Sequence, residues 1–176
     1  LAPGAYVISE IKSPSGYVMD QASTNVVIGE NGDTQTVVIT NSKAGSLIID
    51  KLDSLTGEPL EGVTFLVTDS SGAVVGQSNG EYITDENGRI VIEGLEPGTT
   101  ITARETKTLE GYVLDTAPKS IEIKAGTVQT LRFYNQKQGT LVIRKLDSVT
   151  KEPLAGVEFE LTYADGGYCL LYTFSE

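Results

Sequence analysis

The chain has 176 residues, 39% hydrophobic and 21% charged, with 24 acidic against 13 basic residues and a net charge of -11. At roughly 100–200 residues per domain this is one domain or slightly more. It is apolar enough to pack a core, and its negative field opposes binding to nucleic acid and to anionic lipid surfaces. No stretch reaches the roughly 18 apolar residues of a spanning helix, and no charged-then-apolar leader precedes the first pattern, so neither a membrane segment nor a signal peptide is expected within it. The sequence has no histidine and one cysteine, Cys169. That excludes the Ser-His-Asp triad, the Cys-His pair, histidine or thiolate metal sites and an intrachain disulfide. Cys169 itself reads as incidental, because no base accompanies it.

Taken in order, the chain repeats itself. LAPGAYVISEIKSPSGYVMD begins at Leu1 and VVITNSK ends at Lys43. GSLIIDKLDSLTGEPLEGVTF begins at Gly45, LEPGTTITARETKTLEGYVLD at Leu95, and LRFYNQK ends at Lys137. GTLVIRKLDSVTKEPLAGVEF then begins at Gly139. The Gly45 segment returns at Gly139 and the Leu1 segment at Leu95, each 94 residues on. The expected organisation is therefore a slice of a tandem array. Residues 1–43 are the C-terminal half of one repeat, 44–137 a complete repeat, and 138–176 the N-terminal half of another.

Within each repeat the elements are short runs rich in Val, Ile, Thr and Tyr. Turn pairs such as Asn31-Gly32, Ser71-Gly72, Asn79-Gly80, Asn87-Gly88 and Pro97-Gly98 separate them. Asp85–Gly88 reads as a hairpin turn between Tyr82–Thr84 and Arg89–Ile92. No helical period extends beyond a turn. About seven strands per repeat predict an all-β fold of tandem Ig-like β-sandwiches, one complete and two partial. The short junctions Lys43-Ala44-Gly45 and Lys137-Gln138-Gly139 predict repeats stacked end to end as a semi-rigid rod.

Strand side chains alternate between faces, so parity assigns each residue a side. Leu47, Ile49 and Lys51 share a face, as do Leu141, Ile143 and Lys145. The opposite face carries Asp50 or Arg144 and must see water, so the lysines point inward, which is unusual. By the same test Asn135 falls with Leu131 and Phe133, and Asn41 with Val37 and Ile39. Glu105 falls with Ile101 and Ala103, and Glu10 with Tyr6 and Ile8. The pattern thus aims a Lys, a Glu and an Asn into the core from three separated strands, although spacing alone does not show that they meet. Each could be a strand-end residue with its polar tip in solvent, but their recurrence with parity kept argues for a common purpose.

A charged lysine and a charged glutamate are both costly in an apolar core, and passing the proton from Lys to Glu removes both charges. The neutral amine is a nucleophile, and a side-chain amide held beside it is an acyl donor. Attack on Asn with Glu shuttling protons expels ammonia and leaves a neutral Lys–Asn amide.

The combined motif K-L-D-S-x-T-x-E-P-L-x-G-V-x-F, L-x-P-G, E-x-K before G-Y-V, and N-x-K resembles the SpaA-like prealbumin-fold domains, also called collagen-adhesin B-type domains. The resemblance covers nearly the whole chain. One departure is Thr106–Glu110, which stands where the family usually has an alanine-proline pair before Gly-Tyr. The resemblance implies a prealbumin-like β-sandwich serving as a stalk module of a secreted, cell-wall-attached adhesin or pilin of a Gram-positive bacterium. It also implies a spontaneous isopeptide bond between Lys51 and Asn135, assisted by Glu105. Glu10, Asn41 and Lys145 are the partial-repeat equivalents. No turnover enzyme, cofactor or metal is implied; the partners are neighbouring repeats.

The alternative is a ligand-binding adhesin module recognising a host matrix protein or glycan, which a large exposed apolar or aromatic patch would favour. The absence of tryptophan weighs against a sugar-stacking platform. Asp50, Asp53 and Asp147 read as solvated acidic strand ends rather than a calcium loop, since lysine interrupts them and no Asp-x-Asp-x-Asp-Gly follows.

Overall fold

The computed structural model describes residues 1–76, 78–166 and 168–173, the last six by their backbone. Two compact units result, Leu1–Gln138 and Gly139–Glu176.

The first unit opens with strands β1 (Gly4–Ser9), β2 (Tyr17–Met19), β3 (Ser23–Ile28) and β4 (Asn41–Lys43). β1 pairs antiparallel with β3, and β2 with β4. Residues 33–40 belong to no strand.

Seven strands follow among the described residues: β5 (Gly45–Asp53), β6 (Thr64–Asp69), β7 (Glu81–Ile83), β8 (Arg89–Leu95), β9 (Thr100–Lys107), β10 (Lys119–Glu122) and β11 (Val128–Asn135). They form two sheets, ordered β11-β5-β8 and β10-β9-β6-β7. The alternation of β-branched and polar residues explains the layers, since every second side chain turns inward. Leu47, Ile49 and Phe133 of one sheet meet Phe65, Val67, Ile101 and Ala103 of the other in a single buried core. Phe65 and Phe133 bridge the sheets edge to face, with centroids 4.8 Å apart. Burying each of the larger of these side chains, Ala103 aside, contributes about 1.5–3 kcal/mol. β5 alternates strictly between buried and half-buried positions. As parity predicts, Lys51 lies on the inner face, and Asp50 on the outer face pairs with Arg89 at 2.9 Å.

Asp85–Gly88 is not a hairpin turn. β7 pairs with β6, whereas β8 pairs with β5, so this turn carries the chain from one sheet to the other. The Asn-Gly signal encodes the local bend but not which strands pair, and packing decides the pairing. Asp85 Oδ1 accepts hydrogen bonds from the Asn87 and Arg89 amides. Gly88 sits at φ +67°, where a Cβ would stand 2.5 Å from the Lys51 carbonyl oxygen. The Lys51 amide donates to the Gly88 carbonyl at 2.7 Å, so the turn buttresses the lysine.

At the first junction Gly45 is equally constrained, because a Cβ there would meet Ile123 and lie 2.8 Å from the Lys124 carbonyl. The Ala44 amide donates to Gly16 O at 2.9 Å, and at the next junction the Gln138 amide donates to Gly111 O at 2.7 Å. The same bond thus recurs one repeat later.

In the second unit β12 (Glu158–Thr162) pairs antiparallel with β13 (Tyr168–Thr173). Residues 139–145 are in no strand, and Leu141 and Val142 are 64% and 73% exposed.

Candidate functional site

Three strands bring one polar group each to the middle of the sandwich. Lys51 comes from β5, Glu105 from β9 on the facing sheet, and Asn135 from the end of β11. β11 runs parallel to β5, with Phe133 opposite Lys51 and Asn135 opposite Asp53, so Asn135 stands diagonal to the lysine on the same face. A register shift in the β6–β9 pairing puts Thr64 opposite Lys107 and Phe65 opposite Glu105, leaving Thr106 as a bulge. Such a bulge re-aims side chains beside it. Glu105 still faces inward.

Lys51 and Glu105 are 0% exposed and Asn135 1%. Lys51 Nζ donates to Glu105 Oε2 and to Asn135 Oδ1, both at 2.6 Å. Asn135 Nδ2 in turn donates to Glu105 Oε1 at 2.6 Å, closing a three-residue ring. Glu105 therefore holds the amine with one oxygen and the amide nitrogen with the other. Nζ also lies 5.9 Å from the Phe65 ring centroid, so the surroundings are apolar. Burial pushes the Lys51 ammonium below the ordinary lysine range, against the opposing pull of the Glu105 hydrogen bond and charge.

The structure adds a fourth member that strand parity does not reveal. Thr108 Oγ1 accepts the second Asn135 Nδ2 hydrogen at 2.6 Å, fixing the amide with its oxygen toward the lysine. Thr108 lies in the segment that departs from the family pattern. The signal was available, because Ser13 occupies the matching place after Glu10 and is also a hydroxyl.

The sequence equivalents of these residues outside 44–137 behave differently. Asn41 Nδ2 donates to Glu10 Oε1 at 2.8 Å, reproducing the Asn135–Glu105 bond. No lysine completes that pair: Asn41 Oδ1 and Ser13 Oγ are buried without a hydrogen-bond partner. Lys145 is exposed. Its local turn is nonetheless formed, with the Leu154 amide donating to Lys145 O as the Leu60 amide does to Lys51 O.

The expectation that Asp53 is a solvated strand end is incorrect. It is 3% exposed, and its carboxylate accepts from the Leu55 and Thr56 amides and from the Tyr112 hydroxyl at 2.9 Å. Those backbone bonds, led by Thr56, bring its pKa down to about 2, with smaller help from Tyr112 and the Lys137 charge. The turn it caps follows the lysine strand directly, so Asp53 fixes the exit of β5. Among the described residues no group of His, Cys, Asp and Glu side chains is placed to hold a metal, and no helix is long and apolar enough to cross a membrane.

Comparison with known proteins bears on the fold. The sequence profile of the SpaA prealbumin-like fold domain matches residues 1–43 and 45–137. No curated protein sequence is similar enough to count as a relative. Among solved structures, the Bacillus anthracis TIE protein is 26% identical with a TM-score of 0.54, over 97% of this chain and 32% of its own. The minor pilin of Streptococcus agalactiae is 21% identical with a TM-score of 0.50, over 82% of this chain and 65% of its own. The major pilin SpaD of Corynebacterium diphtheriae is 19% identical with a TM-score of 0.53, over 67% and 37%. The chain thus spans between a third and two thirds of the length of these structures, and the two pilins, at their low identity, speak for the fold alone. Matched over more than half its length, the chain belongs to the SpaA prealbumin-like fold domain family.

Proposed function

We propose that residues 44–137 are a complete, self-cross-linking stalk module of a Gram-positive surface adhesin or pilin. In this reading residues 1–43 and 138–176 are halves of neighbouring repeats. The parent protein lies outside the cell, attached to its wall, and the chain turns over no substrate. One observation supports this above all: Lys51 Nζ sits 2.6 Å from the Asn135 amide oxygen and from Glu105, fully buried in an apolar core.

The chemistry follows from that ring. The Lys51 ammonium passes a proton to Glu105 Oε2, and the free amine attacks Asn135 Cγ. As the Nζ–Cγ bond forms, Glu105 gives its proton to Nδ2, the Cγ–Nδ2 bond breaks and ammonia leaves, while Nζ sheds its remaining extra proton to Glu105, which ends neutral and protonated. Glu105 needs no movement to serve both nitrogens, because its two oxygens already contact them. Two buried charges become a neutral amide, so burial itself drives the reaction. Thr108 acts as a positioning residue. The ligand-binding alternative would use the groove along β6, β7 and β9 lined by Thr64, Glu81 and Lys107. No buried polar arrangement supports it there.

Intact mass tests the proposal. The purified chain should weigh one ammonia less than its sequence, and Lys51→Ala should show its full calculated mass. An unmodified wild-type mass would overturn the cross-link.

A further inference from the structure

Asp53 is a buried carboxylate that the cross-link chemistry does not use. It follows Lys51 by two residues on the same inner face of β5, and the parallel register sets it opposite Asn135. Its two oxygens have separate tasks. Oδ1 caps the turn after β5, accepting from the Leu55 and Thr56 amides at 2.8 and 2.9 Å. Asp147 caps the equivalent turn in the second unit through its own Oδ1, so the turn is encoded locally and one oxygen suffices for it. In Asp53 the other oxygen, Oδ2, accepts from the Tyr112 hydroxyl at 2.9 Å, 59 positions along the chain.

Tyr112 belongs to a segment that wraps around Asn135. Four residues before it, Thr108 Oγ1 accepts from Asn135 Nδ2 at 2.6 Å. On either side of it the backbone grips the residues that follow Asn135. The Val113 amide donates to Gln136 O at 2.9 Å, and the Gln138 amide donates to Gly111 O at 2.7 Å. The turn after β5 grips Asn135 itself, because the Ser54 amide donates to its main-chain carbonyl at 2.9 Å. Asn135 is thus held from two sides, by residues 53–56 and by residues 108–113, and the Tyr112–Asp53 bond ties those sides together. The Lys137 ammonium, 3.9 Å from Asp53 Oδ2 and largely exposed, does not replace that directional bond.

We infer that Asp53 and Tyr112 are positioning residues for the Lys51–Asn135 bond, an inference that rests on the cross-link reading above. Neither touches the reacting atoms. Their bond fixes the spacing between the exit of the lysine strand and the segment that carries Thr108, and so keeps the Asn135 amide with its oxygen toward Lys51 Nζ. Attack on the amide carbon depends on that alignment. A misplacement of about 1 Å in such a geometry can cost about a hundredfold in rate, so loosening the tie without removing either segment should slow amide formation roughly tenfold.

The test follows ammonia loss in freshly synthesised whole chain, quenched into denaturant at intervals and weighed intact. Tyr112→Phe keeps the ring, which packs against the core, and removes only the hydroxyl. It should lose ammonia roughly tenfold more slowly than the unmutated chain. Asp53→Ala should be slowed at least as much. Asp53→Asn still offers an oxygen to the two turn amides and a hydrogen-bonding nitrogen to Tyr112, so it should recover most of the rate. Melting of Tyr112→Phe in the Glu105→Gln background, where no cross-link is expected, reports any purely structural cost, and rates are compared well below that melting temperature. A merely structural role would lower the melting temperature and leave the rate of the folded chain unchanged. Equal rates for Tyr112→Phe and the unmutated chain overturn the inference, as does Asp53→Asn reacting as slowly as Asp53→Ala. If Asp53→Ala fails to fold, Tyr112→Phe decides alone. An unmutated chain that keeps its full mass overturns the cross-link reading and this inference with it, whereas an unmutated chain that loses ammonia no faster than Tyr112→Phe overturns this inference only.

Discussion

Two copies of one polar motif sit in the same compact unit in different states. Around Asn135 every hydrogen-bonding atom of the amide is engaged, by Lys51, Glu105 and Thr108. Around Asn41 only the Glu10 contact is made, and the oxygen that a lysine would engage is buried without a partner. The difference teaches that the Glu–Asn pair assembles without the lysine. The lysine strand adds an amine hydrogen-bonded to the amide oxygen and the parallel pairing that holds β11.

The largest expected effect comes from making the complete site resemble the incomplete one. Glu105→Gln keeps the shape but cannot carry the proton, so the ammonia should be retained. A cross-link bridging 84 positions is worth about 4–5 kcal/mol by chain entropy, and at about 4–8 °C per kcal/mol the melting temperature should fall by roughly 20–30 °C. A cross-linked Glu105→Gln chain would remove Glu105 from the mechanism. Next in size is the charge itself. Lys51→Met leaves a buried glutamate unpaired at a cost of about 3–5 kcal/mol beyond the lost cross-link. Adding Glu105→Gln to it should restore about 1–4 kcal/mol, measured by denaturant unfolding. If the double variant were no more stable than the single, charge burial would not be what the pair balances.

A smaller effect separates the two hydroxyls. Thr108→Ala removes a bond to the Asn135 amide and should slow ammonia loss roughly tenfold, equivalent to about 1.4 kcal/mol. Ser13→Ala should leave that rate and the stability unchanged, because Ser13 Oγ has no partner. Equal effects from both would mean that the hydroxyls act only through packing.

The smallest effect is confined to acid. Asp53 is lowered from 3.8 to about 2 in the folded chain, so the folded state holds this proton less readily than the unfolded one. Its contribution is full above about pH 4 and lost as pH falls toward 2. Asp53→Asn should flatten that part of the stability curve, and an unchanged slope would show that other carboxylates set it.

Most of this site was legible in the sequence because strand parity is a strict rule. Lys51, Glu105 and Asn135 each fell on the apolar side of a run whose other face carried charge, and the 94-residue repeat showed that this was no accident. Their mutual contact was not legible, since it depends on β5 lying beside β11 in one sheet and across from β9 in the other. Asp85–Gly88 departs from the hairpin expectation for a related reason: a turn signal reports a bend, whereas the change of sheet there is decided by packing many residues away. Asp53 looked like a surface charge because nothing local marks the Tyr112 hydroxyl, 59 positions distant, as its partner.

The parallel pairing of β5 with β11 has a consequence for timing. Most neighbours in these sheets are separated by a few tens of residues, but this pair joins the first strand of the repeat to its last. Contacts of such sequence separation form late, because the loop-closure entropy is lost before they repay it. Until β11 arrives, Lys51 has no amide to attack and half of its sheet edge is open. On the proposed chemistry the lysine would therefore be gated by completion of the fold, and a covalent lock would form only on a repeat that has already folded in the correct register.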